Sequence, residues 1–159
     1  MADAPEYLAV DHISITVSDI EASMRFYVEQ LGMPVMTDVE TSDKTSNDSR
    51  YRPLYDAAHS MRRLVVLGPV GGVKIALIAH PGDSLQGEGD PLLDRVGLNH
   101  YALTVRDLPA LFERMKSFGV EPAAQGYFRD PDGNLIQFEA PNEGQEHLQA
   151  WIDHAKTSN

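Results

Sequence analysis

The chain repeats itself, and that limits what it can fold into. Asp11-His12-Ile13-Ser14-Ile15-Thr16-Val17-Ser18-Asp19-Ile20 lies without a gap over Asn99-His100-Tyr101-Ala102-Leu103-Thr104-Val105-Arg106-Asp107-Leu108. His, Thr, Val and Asp coincide, and apolar residues match apolar residues. A helical pattern follows each segment and stops at Leu31-Gly32 in one half and Phe118-Gly119 in the other. The halves also end alike, with Gly72 to Ala79 lying over Gly133 to Ala140. Self-similarity at both ends of each half means that one supersecondary unit is used twice. A length of 159 residues then suits two small modules sharing a core.

Each half reads as a strand, a helix and further strands. Residues 9–17 alternate and are β-branched, which predicts a strand. Ser18-Asp19-Ile20-Glu21 has the form of a capping box. Ile20, Met24, Tyr27, Val28 and Leu31 then follow helical spacing up to Gly32. Residues 33–39, 62–67 and 73–80 are the remaining strands of the first half. In the second half, 99–105 is a strand, and Leu108, Leu111, Phe112, Met115 and Phe118 form one apolar helix face. Asp130-Pro131-Asp132-Gly133 is a turn joining strands at 126–129 and 134–140. Only Pro122 to Gln125 separates the second helix from that hairpin, so the second half has a clipped strand region. Residues 40–61 form a long polar loop, and 81–96 a linker. Residues 143–156 form a closing helix whose Leu148, Trp151 and Ile152 suit packing within the chain or at a dimer contact.

Composition excludes several partners. With 13 Lys+Arg against 24 Asp+Glu the formal net charge is −11, which argues against nucleic acid and anionic membrane surfaces. The absence of cysteine removes disulfides, thiolate metal sites and cysteine nucleophiles. No apolar run approaches the ~20 residues of a membrane span, and the first residues lack the form of a signal peptide. A soluble, cytoplasmic protein is expected. Against the acidic background, Arg50, Arg52, Arg62 and Arg63 cluster in and after the long loop, with Tyr51, Tyr55 and His59 among them. Such a cluster suits a small anionic or aromatic substrate.

Strand parity separates the polar residues. Ile13, Ile15 and Val17 share one face of the first strand, and His12, Ser14 and Thr16 the other. In its repeat, His100, Ala102 and Thr104 oppose Tyr101, Leu103 and Val105. Gln137 and Glu139 share the mixed face of the last strand, about 6–7 Å apart by the per-residue rise. His12 and His100 thus occupy equivalent places about a pseudo-twofold axis. Two converging neutral imidazoles with an oxygen ligand suit a divalent transition metal.

The motifs DHISITVSDIEASMRFYVEQLGMPV, NHYALTVRDLPALFERMKSFGVEP and YFRDPDGNLIQFEAP resemble those of the vicinal oxygen chelate superfamily, which includes glyoxalase I, methylmalonyl-CoA epimerase, fosfomycin-resistance enzymes, extradiol dioxygenases and bleomycin-binding proteins. The resemblance covers roughly residues 9–141. It implies an α+β fold of paired βαβββ modules forming a curved mixed sheet around a cavity, with a C-terminal helix. On this chain the modules would be 9–80 and 97–141, joined by 81–96 and followed by the helix at 143–156. The resemblance places metal ligands at His12 and His100, and at Gln137 where the family usually has Glu. The fourth family position falls on Ala76, which cannot bind a metal. It implies a divalent ion (Fe, Ni, Zn, Mn or Co) in a lyase or isomerase acting on a small oxygen-chelating substrate, with Glu139 or His59 moving the proton. The same family contains metal-free antibiotic-binding proteins of the bleomycin-resistance type and extradiol dioxygenases. A homodimer is expected by the same resemblance.

Overall fold

The structure is a computed structural model that describes residues 8–40, 62–81, 85, 87, 92–142, 146, 149–150 and 153. The chain divides into two compact units, Met1–Gly87 and Glu88–Asn159. In the first, β1 (His12–Val17) is followed by helix α1 (Ile20–Met24), a π-helical continuation (Arg25–Gln30), β2 (Val35–Glu40), β3 (Arg63–Val70) and β4 (Val73–Ala79). The strands form one sheet in the order β1-β4-β3-β2. β1 and β4 are parallel, and the other pairs are antiparallel. Parallel neighbours cannot be joined by a tight turn, so the chain must leave the sheet between them. Here the helix and the β2–β3 pair make that crossover.

Burial follows the strand parity. Ile15, Val17, Val65, Leu67, Ile75 and Leu77 are buried, as are Phe26 and Tyr27 on the π-helical turn. The rings of Phe26 and Tyr27 meet edge to face with centroids 5.1 Å apart. These neighbours in sequence are both inward, on a turn closed by the Leu31 N–H donating to the Phe26 carbonyl five residues back. The sequence pattern predicts a plain α-helix here; the widened turn carries no signal that hydrophobic spacing registers.

The helix cap also differs from expectation. Asp19, not Ser18, is the N-cap, and its carboxylate accepts from the N–H groups of Glu21 and Ala22. Asp107 occupies the same place in the second unit and accepts from Ala110 N. With the cap filled by aspartate, Glu21 is released to pair with Arg63, a partner 42 positions away. Arg63 also grips Asp38 through Nε and Nη2 at 2.8 and 2.7 Å. This guanidinium therefore ties β3 to β2 and α1 on the helix side of the sheet. It is not part of an anion-binding mouth, as the arginine cluster suggested. Arg50, Arg52, Tyr51, Tyr55 and His59 lie outside the described residues.

The second unit comprises β5 (His100–Thr104), α2 (Leu108–Ser117), β6 (Tyr127–Arg129) and β7 (Leu135–Glu139), with strand order β5-β7-β6. β5 and β7 are parallel, as β1 and β4 are, and β6 pairs antiparallel with β7. This is the first sheet without its outermost strand. Among the described residues only an isolated Ala124–Tyr127 bridge stands where the counterpart of β2 would begin. Met115, Phe128, Ile136 and Phe138 are buried. The Phe128 ring meets those of Phe112 and Phe138 at 5.1 and 5.8 Å between centroids. Asp130 is buried at the predicted turn, where its Oδ1 accepts from the N–H groups of Asp132 and Asn134. Beyond Asn142, residues 146, 149, 150 and 153 are helical; Leu148, Trp151 and Ile152 lie outside the described residues. Among the described residues no helix is long and apolar enough to cross a membrane.

The Arg63 cluster makes stability depend on pH. Arg63 holds the Asp38 carboxyl below its ordinary value of 3.8. A lowered carboxyl contributes stability above its unfolded pKa and loses it as pH falls through the folded value. Asp38 is partly exposed, so the pair is worth only about 0.5–1 kcal/mol. Asp38→Asn should lower stability to urea by that amount at neutral pH. The deficit should close as the pH is taken below about 4.

Candidate functional site

The faces turned away from the helices carry the chemistry. In the first unit β1 lies beside β4 with His12 opposite Lys74, Ser14 opposite Ala76 and Thr16 opposite Ile78. In the second, His100 lies opposite Leu135, Ala102 opposite Gln137 and Thr104 opposite Glu139. The two registers coincide, so Lys74 corresponds to Leu135 and Ala76 to Gln137.

Each histidine is oriented by the residue before it. Asp11 Oδ2 lies 2.8 Å from His12 Nδ1. A carboxylate only accepts, so Nδ1 carries a proton, and in the neutral imidazole the lone pair is then on Nε2. The other oxygen of Asp11 accepts from Lys74 Nζ at 2.8 Å. Lys74 first, and His12 second, hold the Asp11 carboxyl below its ordinary range, so it stays anionic. In the second unit Asn99 Oδ1 lies 2.7 Å from His100 Nδ1. The Asn99 amide donates through Nδ2 to the Leu93 carbonyl at 3.2 Å, which fixes which end meets the imidazole. His100 therefore also carries its proton on Nδ1 and presents Nε2. Its ring packs edge to face on Tyr127, with centroids 5.6 Å apart.

Gln137 is oriented in the same manner. Its Nε2 donates to Glu139 Oε1 at 2.8 Å, across one intervening residue on the same strand face. The amide oxygen has no hydrogen-bond partner among the described residues. With each imidazole in its neutral form, three side chains present lone pairs: His12 Nε2, His100 Nε2 and Gln137 Oε1. Their other polar atoms are each tied to a neighbour.

Ala76 is buried, and no side chain reaches from it toward a ligand. Around it Ser14, Leu64, Val66 and Ile78 line a hollow of about 280 Å³ whose polar end is His12 and Lys74. A second cleft, of about 610 Å³, lies in the other unit beside Gln137 and Glu139. Among the described residues no three His, Cys, Asp or Glu side chains are grouped to hold a metal ion.

A sequence profile of the glyoxalase/bleomycin resistance protein/dioxygenase superfamily matches residues 9–138. The chain belongs to that superfamily. Solved structures agree on its α+β fold. A glyoxalase family protein from Bacillus cereus is similar with a TM-score of 0.70 and 18% identity, over 87% of this chain and 98% of that one. The trypanothione-dependent glyoxalase I of Leishmania major has a TM-score of 0.59 at 22% identity, over 95% and 99%. The antibiotic-binding protein TnmS3 from a Streptomyces species has a TM-score of 0.52 at 23% identity, over 86% and 98%. No curated protein sequence matches significantly. At these identities the likeness to glyoxalase and to TnmS3 concerns fold alone.

Strand parity in the sequence located His12, His100, Gln137 and Glu139. It did not reveal the partners of the two imidazoles, although the signal was present: both histidines follow Asp or Asn. Nor did it show Lys74 beside Asp11, which depends on the parallel register of β1 and β4. The tautomers are directly measurable. ¹⁵N correlation spectra of metal-free protein should show His12 and His100 protonated on Nδ1. Asp11→Ala and Asn99→Ala should each move only their own histidine toward the Nε2-protonated form.

Proposed function

We propose that this superfamily member is a divalent-metal-dependent lyase or isomerase of the glyoxalase and epimerase kind, acting on a small substrate that chelates through carbonyl or hydroxy-carbonyl oxygens. The observation that carries the reading is the shared orientation of His12 and His100. Each has its Nδ1–H given away and its Nε2 lone pair retained at equivalent positions. Metal-ligating histidines commonly show this arrangement, in which a carboxylate or carbonyl oxygen fixes the ring and raises its basicity.

The donor set fits a divalent transition ion. His12 and His100 supply nitrogen, and Gln137 Oε1 supplies the third protein ligand. A divalent ion held there would supply Lewis-acid polarisation of a substrate carbonyl oxygen. The chain's own groups do the rest. Asp11 and Asn99 keep the imidazoles aimed. Glu139 holds the Gln137 amide so that oxygen, not nitrogen, faces outward. The Glu139 carboxylate also stands beside the site as the base that takes up and returns the substrate proton. His59 is the alternative proton carrier on sequence grounds. Gln137 brings no charge, which disfavours iron-dependent ring cleavage at a 2-His-1-carboxylate centre unless Glu139 supplies the carboxylate in its place.

A second reading, a metal-free small-molecule-binding protein, is favoured by one feature. Ala76 stands where Gln137 stands in the other unit, and its absent side chain leaves the apolar hollow of Leu64, Val66 and Ile78. A soluble homodimer is compatible with either reading.

Metal content separates the two. Protein purified without chelator should carry close to one divalent ion per pair of histidines, and His12→Ala or His100→Ala should remove at least nine-tenths of it, on the order expected when one of few ligands is lost. Gln137→Glu should tighten binding about tenfold by adding a charge. Protein that holds no metal, and takes up none of Ni, Zn, Mn or Fe when offered, would establish the binding-protein reading instead.

A further inference from the structure

We propose that the cleft on the short side of the second sheet receives a protonated amine carried on an aromatic or alicyclic ring, with Glu139 as its counter-ion. The cleft exists because a strand is missing. β6 is three residues long, and among the described residues no strand pairs with its far side. The sheet therefore ends at Tyr127, and the cleft reaches residues of both its faces. Phe112 and Phe138 lie on the helix side, and Gln137 and Glu139 on the other. Gly126 closes the gap at the end of the β6–β7 pair, where its carbonyl accepts from Phe138 N at 2.7 Å. A side chain there would be strained by a φ of +77° and would bring its Cβ to 3.3 Å from the Phe138 carbonyl oxygen.

The lining selects the sign of the ligand. Among the described residues around the cleft, Glu139 is the only acidic or basic one. Gln137 has already given an amide hydrogen to it, so the oxygen it has left can only accept. The start of α2 borders the cleft at Leu108 and Pro109, and a helix N-terminus ordinarily favours anions. Here that preference is cancelled. The Asp107 carboxylate caps the Ala110 N–H, the Asp107 carbonyl accepts from Leu111 N, and Pro109 has no N–H to give. The cleft thus offers one carboxylate and the Gln137 amide oxygen, with the neutral Gln125 amide at its exposed rim and the Tyr127 hydroxyl, against the apolar and aromatic surfaces of Leu108, Pro109, Phe112 and Tyr127. An ammonium group pairs with Glu139 and lies against the aromatic rings, while its own ring fills the apolar part. About 610 Å³ is ample for such a molecule. The net charge of −11 favours the approach of a cation.

This extends the reading above to a recognition arm of the substrate, in which Glu139 holds the amine and proton transfer falls to the alternative carrier, His59; the binding itself needs no metal. It is therefore tested with chelator present, so that failure of the metal reading is seen only in metal analysis. The probes are 2-phenylethylamine, 2-phenylethanol and 3-phenylpropanoate, followed by amide chemical shifts. The amine should bind saturably, with shifts centred on Leu108, Gly126 and Gln137, and about tenfold more tightly than the alcohol, as a charge-assisted contact requires. The carboxylate should not bind. Glu139→Gln should remove the preference for the amine and leave alcohol binding unchanged. Gln125→Trp, an exposed change at the rim, should weaken both. Equal binding of amine and alcohol, a preference that survives Glu139→Gln, or no saturable shift around the cleft would overturn the proposal.

Discussion

Parallel pairing of the first and last strand in each unit is the constraint on which the rest depends. It aligns His12 with Lys74 and Ser14 with Ala76 in one sheet, and His100 with Leu135 and Ala102 with Gln137 in the other. It also requires a crossover, and the crossover helix covers one face only. That face collects Ile15, Val17, Ile75 and Leu77 in the first unit, and Ile136 and Phe138 in the second. The opposite face is mixed, and the positions of its polar groups beside Leu64, Val66, Ala76 and Ile78 are set by register and not by loops. A one-residue slip of either pair would send every one of them into the core.

Given those positions, local hydrogen bonds decide what each group can do. An imidazole free to choose its tautomer is a poor predictor of chemistry. An imidazole whose Nδ1–H is bound to Asp11 or Asn99 is not. The pairs differ in charge: Asp11 is anionic and shared with Lys74, whereas Asn99 is neutral and anchored on a backbone carbonyl. Glu139 accepts from Gln137 as Asp11 accepts from His12.

Much of this was legible in the sequence because it rests on periods. The repeat, the two faces of each strand, the Asp130 turn and the clipped strand after Pro122 all follow from spacing, and the fold agrees with them. What spacing does not encode is which polar group meets which. Ser18 and Asp19 are both competent caps, and only the backbone geometry makes Asp19 the one used. Arg63 reads as one member of a basic cluster, yet its partners Asp38 and Glu21 lie 25 and 42 positions away and turn it to the helix side. The cleft beside Glu139 was implicit in the short Pro122–Gln125 connection, but the aim of its carboxylate and amide oxygen depends on the Gln137–Glu139 hydrogen bond.

The central claim is that His12 and His100 coordinate one ion through Nε2. Pulsed electron paramagnetic resonance of the Cu(II)-loaded protein counts coordinated imidazoles directly, through coupling to the remote ring nitrogen. The account predicts two imidazoles per ion in the native chain and one in His12→Ala and in His100→Ala. A signal from one imidazole or none in the native protein, or one unchanged by either substitution, would contradict it.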